Sequence, residues 1–223
     1  MLNPWLGIVF VAAALVTAMM ALKFCSDRCH VAPELLRKIL HVFMGVVTLL
    51  FPWMFSTVWP VVILAAVSVW WLWSVQWCRP LQQFAGGVTD GVSRHTCGEL
   101  YFPVAIALLF WLSQGNLLLY VIPVLVLTFA DALAAVVGLR YGAHRYTIGA
   151  GIKSWEGSAT FFVVALCVVF LSLLFMAGMP GSKALLVAVV TALPVTFVEA
   201  ISHTGWDNLL VPLSTLFILS LFL

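Results

Sequence analysis

Apolar residues run through this chain in long unbroken blocks, and polar residues gather in the short stretches between them. A spanning helix needs about 20 largely apolar residues. On that rule the pattern predicts eight helices, over 4–23, 39–55, 58–77, 101–114, 117–138, 158–178, 184–201 and 208–222. The connections alternate in character. One set is polar and basic: 24–38, 78–100, 139–157 and the short 202–207. The other is brief and nearly uncharged: FPWMFSTVWP, SQGN and AGMPGSK. No long linker, soluble segment or repeat interrupts the series, so the expectation is all-α, a single integral membrane domain over 1–223.

Composition supports that class. The 223 residues are 64% hydrophobic and only 8% charged, against roughly 25% charged in a soluble domain. A net charge of +2 is too small to suggest nucleic acid as a partner. Where the charges fall says more. Nine of ten Lys and Arg (Lys23, Arg28, Arg37, Lys38, Arg79, Arg94, Arg140, Arg145, Lys153) lie in or beside the first set of connections, and only Lys183 beside the second. The positive-inside rule then places both termini outside and the basic connections in the cytoplasm, as in a bacterial-type inner membrane. All eight acids fall on the same side, which orientation alone does not require. The first segment lacks a basic stretch ahead of its apolar run and reads as a retained helix, not a signal peptide. Five cysteines without a framework argue against disulfides. CSDRCH spaces its cysteines by three and is not a haem-attachment motif; ordinary juxtamembrane residues are preferred to a metal site from Cys25, Cys29 and His30.

Asp131 is the residue that the apolar pattern does not explain. It stands inside LVLTFADALAAVVGLRYG, toward the cytoplasmic end of the fifth helix. An intramembrane carboxylate marks a functional site by default. Ala134, Ala135, Gly138 and Gly142 follow at helical spacing, a small-residue face that admits another helix or a ligand. The loop beyond, LRYGAHRYTIGAGIKSWEGS, holds Arg140, His144, Arg145 and Lys153 among glycines at 142, 149, 151 and 157. Cations and exposed backbone amides suit phosphate. Ser154 is expected to cap the sixth helix and aim its positive end at the same place. GAGIKS is not a P-loop, since no Gly precedes Lys153 directly and no strand precedes the loop. Asp131 and Glu156 bracket the loop, and two carboxylates beside nucleotide phosphates are what Mg²⁺ needs.

Three smaller clusters share that side. PELLRKILHV places Arg37, Lys38 and His41 at the start of the second helix. HTCGELYFP places Glu99 at the mouth of the fourth. EAISHTGWDNLLVP places Glu199 at the end of the seventh, with His203, Asp207 and Asn208 leading into the eighth. Arg37 and Lys38 are equally topology anchors, and Asp207 equally an N-cap.

RKILHV, GELYFP, DALAAVVGLRYG, KSWEGS and EAISHTGWDN, in this order, resemble the CTP-dependent polyprenol kinase family. That group includes dolichol, phytol and farnesol kinases and the fungal CTP-type diacylglycerol kinase. The matched stretches span 36 to 212, and Arg37, Lys38, Asp131, Gly138, Lys153 and Glu156 fall on the family's characteristic positions. The resemblance implies CTP as phosphoryl donor, a bacterial-type prenol kinase as the simplest match, and Asp131 and Glu156 on Mg²⁺ and triphosphate. It implies Lys153 and Arg140, with Arg37 and Lys38, neutralising phosphate. Asp131, His41 and Glu199 remain candidates for the base. DALAAVVGLRYG with KSWEGS also resembles phosphatidate cytidylyltransferases, so CDP-lipid synthesis is the rival. A transporter or lipid-binding scaffold is the non-enzymatic alternative, and a homodimer is left open.

Overall fold

The computed structural model describes residues 3–29, 33–77, 98–149 and 151–223. Most of the second basic connection, with Cys78, Arg79, Asp90, Arg94 and Cys97, lies outside the described residues, as does His30. Among the described residues the helices are α1 (Pro4–Cys29), α2 (Pro33–Leu49), the single turn α3 (Phe51–Met54), α4 (Trp59–Trp77), α5 (Gly98–Leu112), α6 (Leu117–Leu125), α7 (Asp131–Tyr141), α8 (Trp155–Phe175), α9 (Gly181–Ile201) and α10 (Asp207–Leu219). A π-turn, Val126–Ala130, joins α6 to α7 in one continuous rod. Each of the eight expected helices has its counterpart.

Helix ends follow local chemistry. Asn116 caps α6, its side chain accepting from the amides of Leu118 at 3.0 Å and Leu119 at 3.4 Å. Ser154 caps α8 as expected, accepting from Gly157 N at 3.1 Å. Asp207 does not cap α10: it is the first helical residue, and its Oδ1 accepts from the next amide, Asn208, at 3.0 Å.

The rod from Leu117 to Tyr141 is the axis of the molecule, and two thirds of its apolar window is buried. Around it α8, α9, α10, α5, α4, α1 and α2 pack in turn, each against its neighbour, and α2 closes back onto the rod. Tyr120, Ile122, Val124 and Leu127 of the rod meet Phe161, Ala165 and Val169 of α8 and small residues of α9 in one core. The perimeter carries large apolar side chains such as Trp5, Trp70, Phe175, Phe197 and Phe217, more than half exposed. A soluble protein would hide these. With five helices long and apolar enough to span a bilayer and three shorter apolar ones beside them among the described residues, the protein is a polytopic integral membrane protein.

One element departs from the helical pattern. Arg145–Ile148 (β1) and Gly151–Ser154 (β2) pair antiparallel, with Tyr146 opposite Lys153. The signal was present: alternation in RYTI and GIKS on either side of glycine is a hairpin pattern. Gly149 turns with φ +53°, a conformation that suits glycine.

Candidate active site

Ionisable groups converge at one end of the bundle. Lys38 enters from the first turns of α2 and donates from Nζ to Asp131 Oδ2 at 2.6 Å, both side chains nearly buried. The hairpin carries Lys153 into the same end. Its Nζ reaches Glu199 Oε1 at 2.5 Å and the Glu199 backbone carbonyl, and stands 3.8 Å from Asp207 Oδ2. Asp131 lies within electrostatic range of Lys153, Glu199 and Asp207, so the two pairs form one cluster. Two ammonium groups thus face three carboxylates. Glu199 Oε2 is buried and has no hydrogen-bond partner among the described residues, an expensive state for a carboxylate oxygen unless something else is to meet it.

His41 lies one turn beyond Lys38, its Nε2 3.2 Å from the Leu127 carbonyl and 3.6 Å from Asp131 Oδ2. Phe102 of α5 packs edge-on against its ring, with centroids 5.1 Å apart. Asn208 ties α10 to the start of α5 by donating to Gly98 O at 2.9 Å. Glu99 and Arg37 occupy the adjoining first turns and are half-buried.

Other expected residues have visible local tasks. Glu156 faces His144, whose amide and Nδ1 lie 3.1 and 2.8 Å from Oε1; this clamps the hairpin to the start of α8. Gly138 and Gly157 sit where α7 crosses α8. A Cβ on Gly157 would lie 3.0 Å from the Ala134 carbonyl, and one on Gly138 3.0 Å from Ser154 Oγ. The small-residue face beside Asp131 therefore admits a helix, the first of the two occupants expected for it. Gly142 lies against Ser154 at the same crossing. Arg140 is exposed, its guanidinium 5.5 Å from the Tyr141 ring.

Sequence reasoning named the members of the cluster but not their partners, and it missed several residues. Tyr146 and Ser158 hydroxyls lie 2.7 Å apart across the base of the hairpin. His203, which the sequence did single out, supports the hairpin's tip, where a Cβ on Gly149 would meet the imidazole at 2.9 Å. Thr128, buried in the π-turn with a hydroxyl that has no partner among the described residues, carried no signal in the sequence.

A polytopic helical protein with a buried cluster of lysines and carboxylates at one end is a membrane-embedded protein with a charged site. The chain is 31% identical over 205 residues to the phytol kinase of Synechocystis sp. (strain ATCC 27184 / PCC 6803 / Kazusa), covering 85% of this chain and 80% of that protein. It belongs to the polyprenol and phytol kinase family. No family model matches it. No solved structure matches it either.

Proposed function

We propose that this protein is a lipid-alcohol kinase that moves the γ-phosphoryl group of CTP to the hydroxyl of a prenol of the phytol, farnesol or polyprenol type. Diacylglycerol is the other acceptor to test. The site would face the cytoplasm, where the basic connections are expected to lie. The observation that carries the reading is the meeting of Lys38 and Lys153 with Asp131, Glu199 and Asp207 at one end of an apolar bundle. Phosphoryl transfer asks for positioning and charge neutralisation more than for covalent chemistry. The buried Lys38 and the part-buried Lys153 supply the second, and a bilayer-soluble alcohol can approach with its hydroxyl toward the cluster.

In the reaction the alcohol oxygen bonds to the γ-phosphorus as the bond to the bridging β–γ oxygen breaks, and CDP leaves. The alcohol proton goes to a carboxylate of the cluster that is not holding the Mg²⁺ ion, for which Asp131 and Glu199, whose Oε2 has no hydrogen-bond partner among the described residues, qualify. Lys38 and Lys153, now paired with carboxylates, would turn to the phosphates, with Arg37 beside them. Among the described residues no three His, Cys, Asp or Glu side chains are grouped to hold a metal by themselves. Mg²⁺ needs fewer, since it takes one or two carboxylates and completes its shell with phosphate oxygens and water. Asp131 or Glu199 fits that requirement, whereas Glu156 is engaged by His144. Bound with the nucleotide, the ion would offset the charge developing on the β- and γ-phosphates.

Purified protein with Mg²⁺, CTP labelled at the α- or γ-phosphate, and a panel of alcohols tests this. Lipid carrying γ-label is the expected result. Lipid carrying α-label would instead establish cytidylyl transfer, and label transferred equally well from ATP would remove CTP as the donor. Absence of nucleotide binding would leave the transporter or scaffold reading.

A further inference from the structure

The π-turn Val126–Ala130 ends where Asp131 begins. In a π-turn the backbone bonds lengthen from i+4 to i+5, so one carbonyl drops out of the ladder when α geometry resumes. For a turn over 126–130 that carbonyl belongs to Leu127. A carbonyl left over in an apolar interior needs a donor from elsewhere, and His41 Nε2 provides it at 3.2 Å.

One face of α2 supports this region at three successive points. Lys38 meets the Asp131 carboxylate, His41 meets the Leu127 carbonyl, and Gly45 lies so close to Thr128 that a Cβ there would run into its side chain. The spacing of three and four residues keeps all three on one side of α2. Phe102 holds the imidazole from the side of α5. The carbonyl can only accept, so the bond places the proton on Nε2. Nε2, already donating, has no lone pair to take a proton from an alcohol, and the ring keeps one only on Nδ1.

We infer that His41 is a positioning residue: as a neutral Nε2–H donor it holds the carbonyl that the π-turn releases, and thereby sets the orientation in which Asp131 meets Lys38 and the substrate phosphates. This rests on the reading of Asp131 as part of the phosphoryl-transfer site. The extra residue of the π-turn rotates everything after it by about 100° relative to a straight helix. A donor fixed at the turn therefore governs where the carboxylate points.

The test compares His41→Phe, which keeps a ring against Phe102 but no donor, with His41→Gln, whose amide N–H reaches the position of Nε2. Both are measured as full-length protein in detergent, with the donor and alcohol that the wild type turns over, and rates are taken per folded enzyme. In His41→Phe, kcat is expected to fall roughly 10- to 100-fold through misplacement of the carboxylate, with KM values changed by less than about threefold. His41→Gln is expected to recover most of that loss and to keep the wild-type pH profile, since no titrating group takes part. His41→Gln as inactive as His41→Phe would make the imidazole the base and overturn the inference. So would His41→Phe with normal kcat and only a lower melting temperature, which is packing alone. Asp131→Asn runs alongside: wild-type turnover in that variant would remove the site reading itself, a separate failure.

Discussion

Replacing Lys38 by Met leaves the Asp131 carboxylate facing an apolar neighbour, and the cost can be worked from the geometry. The pair is 2.6 Å apart, with side chains 11% and 8% exposed. At an effective dielectric constant of about 20 the gross attraction over that distance is about 6 kcal/mol. Desolvation of both groups cancels much of it, so the pair's net contribution is far smaller than the gross figure. Removing one partner is different, because the other stays buried without a direct partner, Lys153 acting on Asp131 only from farther off; such changes cost about 3–5 kcal/mol. Lys38→Met and Asp131→Asn should each destabilise by about 3 kcal/mol or more. The double variant should lose less than their sum, by about 2 kcal/mol or more, a coupling in the range measured for close charge pairs. Equilibrium unfolding in mixed micelles, titrated with a denaturing detergent, measures all four corners of the cycle. Additivity within about 0.5 kcal/mol would mean that the two side chains are energetically independent, and the buried pair would be refuted as an organising contact of the site.

Three further outcomes follow from other contacts. Lys153→Met should lower kcat by roughly 100-fold or more in the labelled-nucleotide assay, the scale on which charge stabilisation of a transition state is lost; a change confined to KM would assign Lys153 to uniform nucleotide binding. Gly157→Val should destabilise by about 1–3 kcal/mol, read as a lower melting temperature, because its Cβ would lie 3.0 Å from the Ala134 backbone oxygen; an unchanged melting temperature would show that α7 and α8 can part without cost. Tyr120→Phe removes a buried hydrogen bond of 2.8 Å to the Thr48 carbonyl and should cost about 1–2 kcal/mol with kcat unchanged, because the bond lies outside the charged cluster.

The helices were legible because their signal is local and strong. A bilayer demands runs of apolar residues, and their ends are marked by polar residues, as at Asn116 and Ser154. The charged candidates were legible for the converse reason: Asp131, Lys153 and Glu199 stand out in a chain with few charges. Pairing was not legible. Asp131 and Glu156 are neighbours around one loop, and that loop suggested a shared ion. Folded as a hairpin, it sends Lys153 to Glu199 and Asp207 and ties Glu156 to His144. The small residues at 134, 138 and 142 allowed either a helix or a ligand, and α8 occupies the crossing.

Sequence by itself determined that this is a helical membrane protein, where its helices lie, and which few residues carry charge. Those properties depend on the solvent that each segment must meet, and a segment's own composition states that. Tertiary structure alone decided that Lys38 closes on Asp131 across 93 residues, that Lys153 closes on Glu199 across 46, and that a π-turn held by His41 precedes the carboxylate. Such contacts depend on the order in which helices pack around the central rod. No local pattern encodes that order, because every apolar face in a bilayer is compatible with many neighbours.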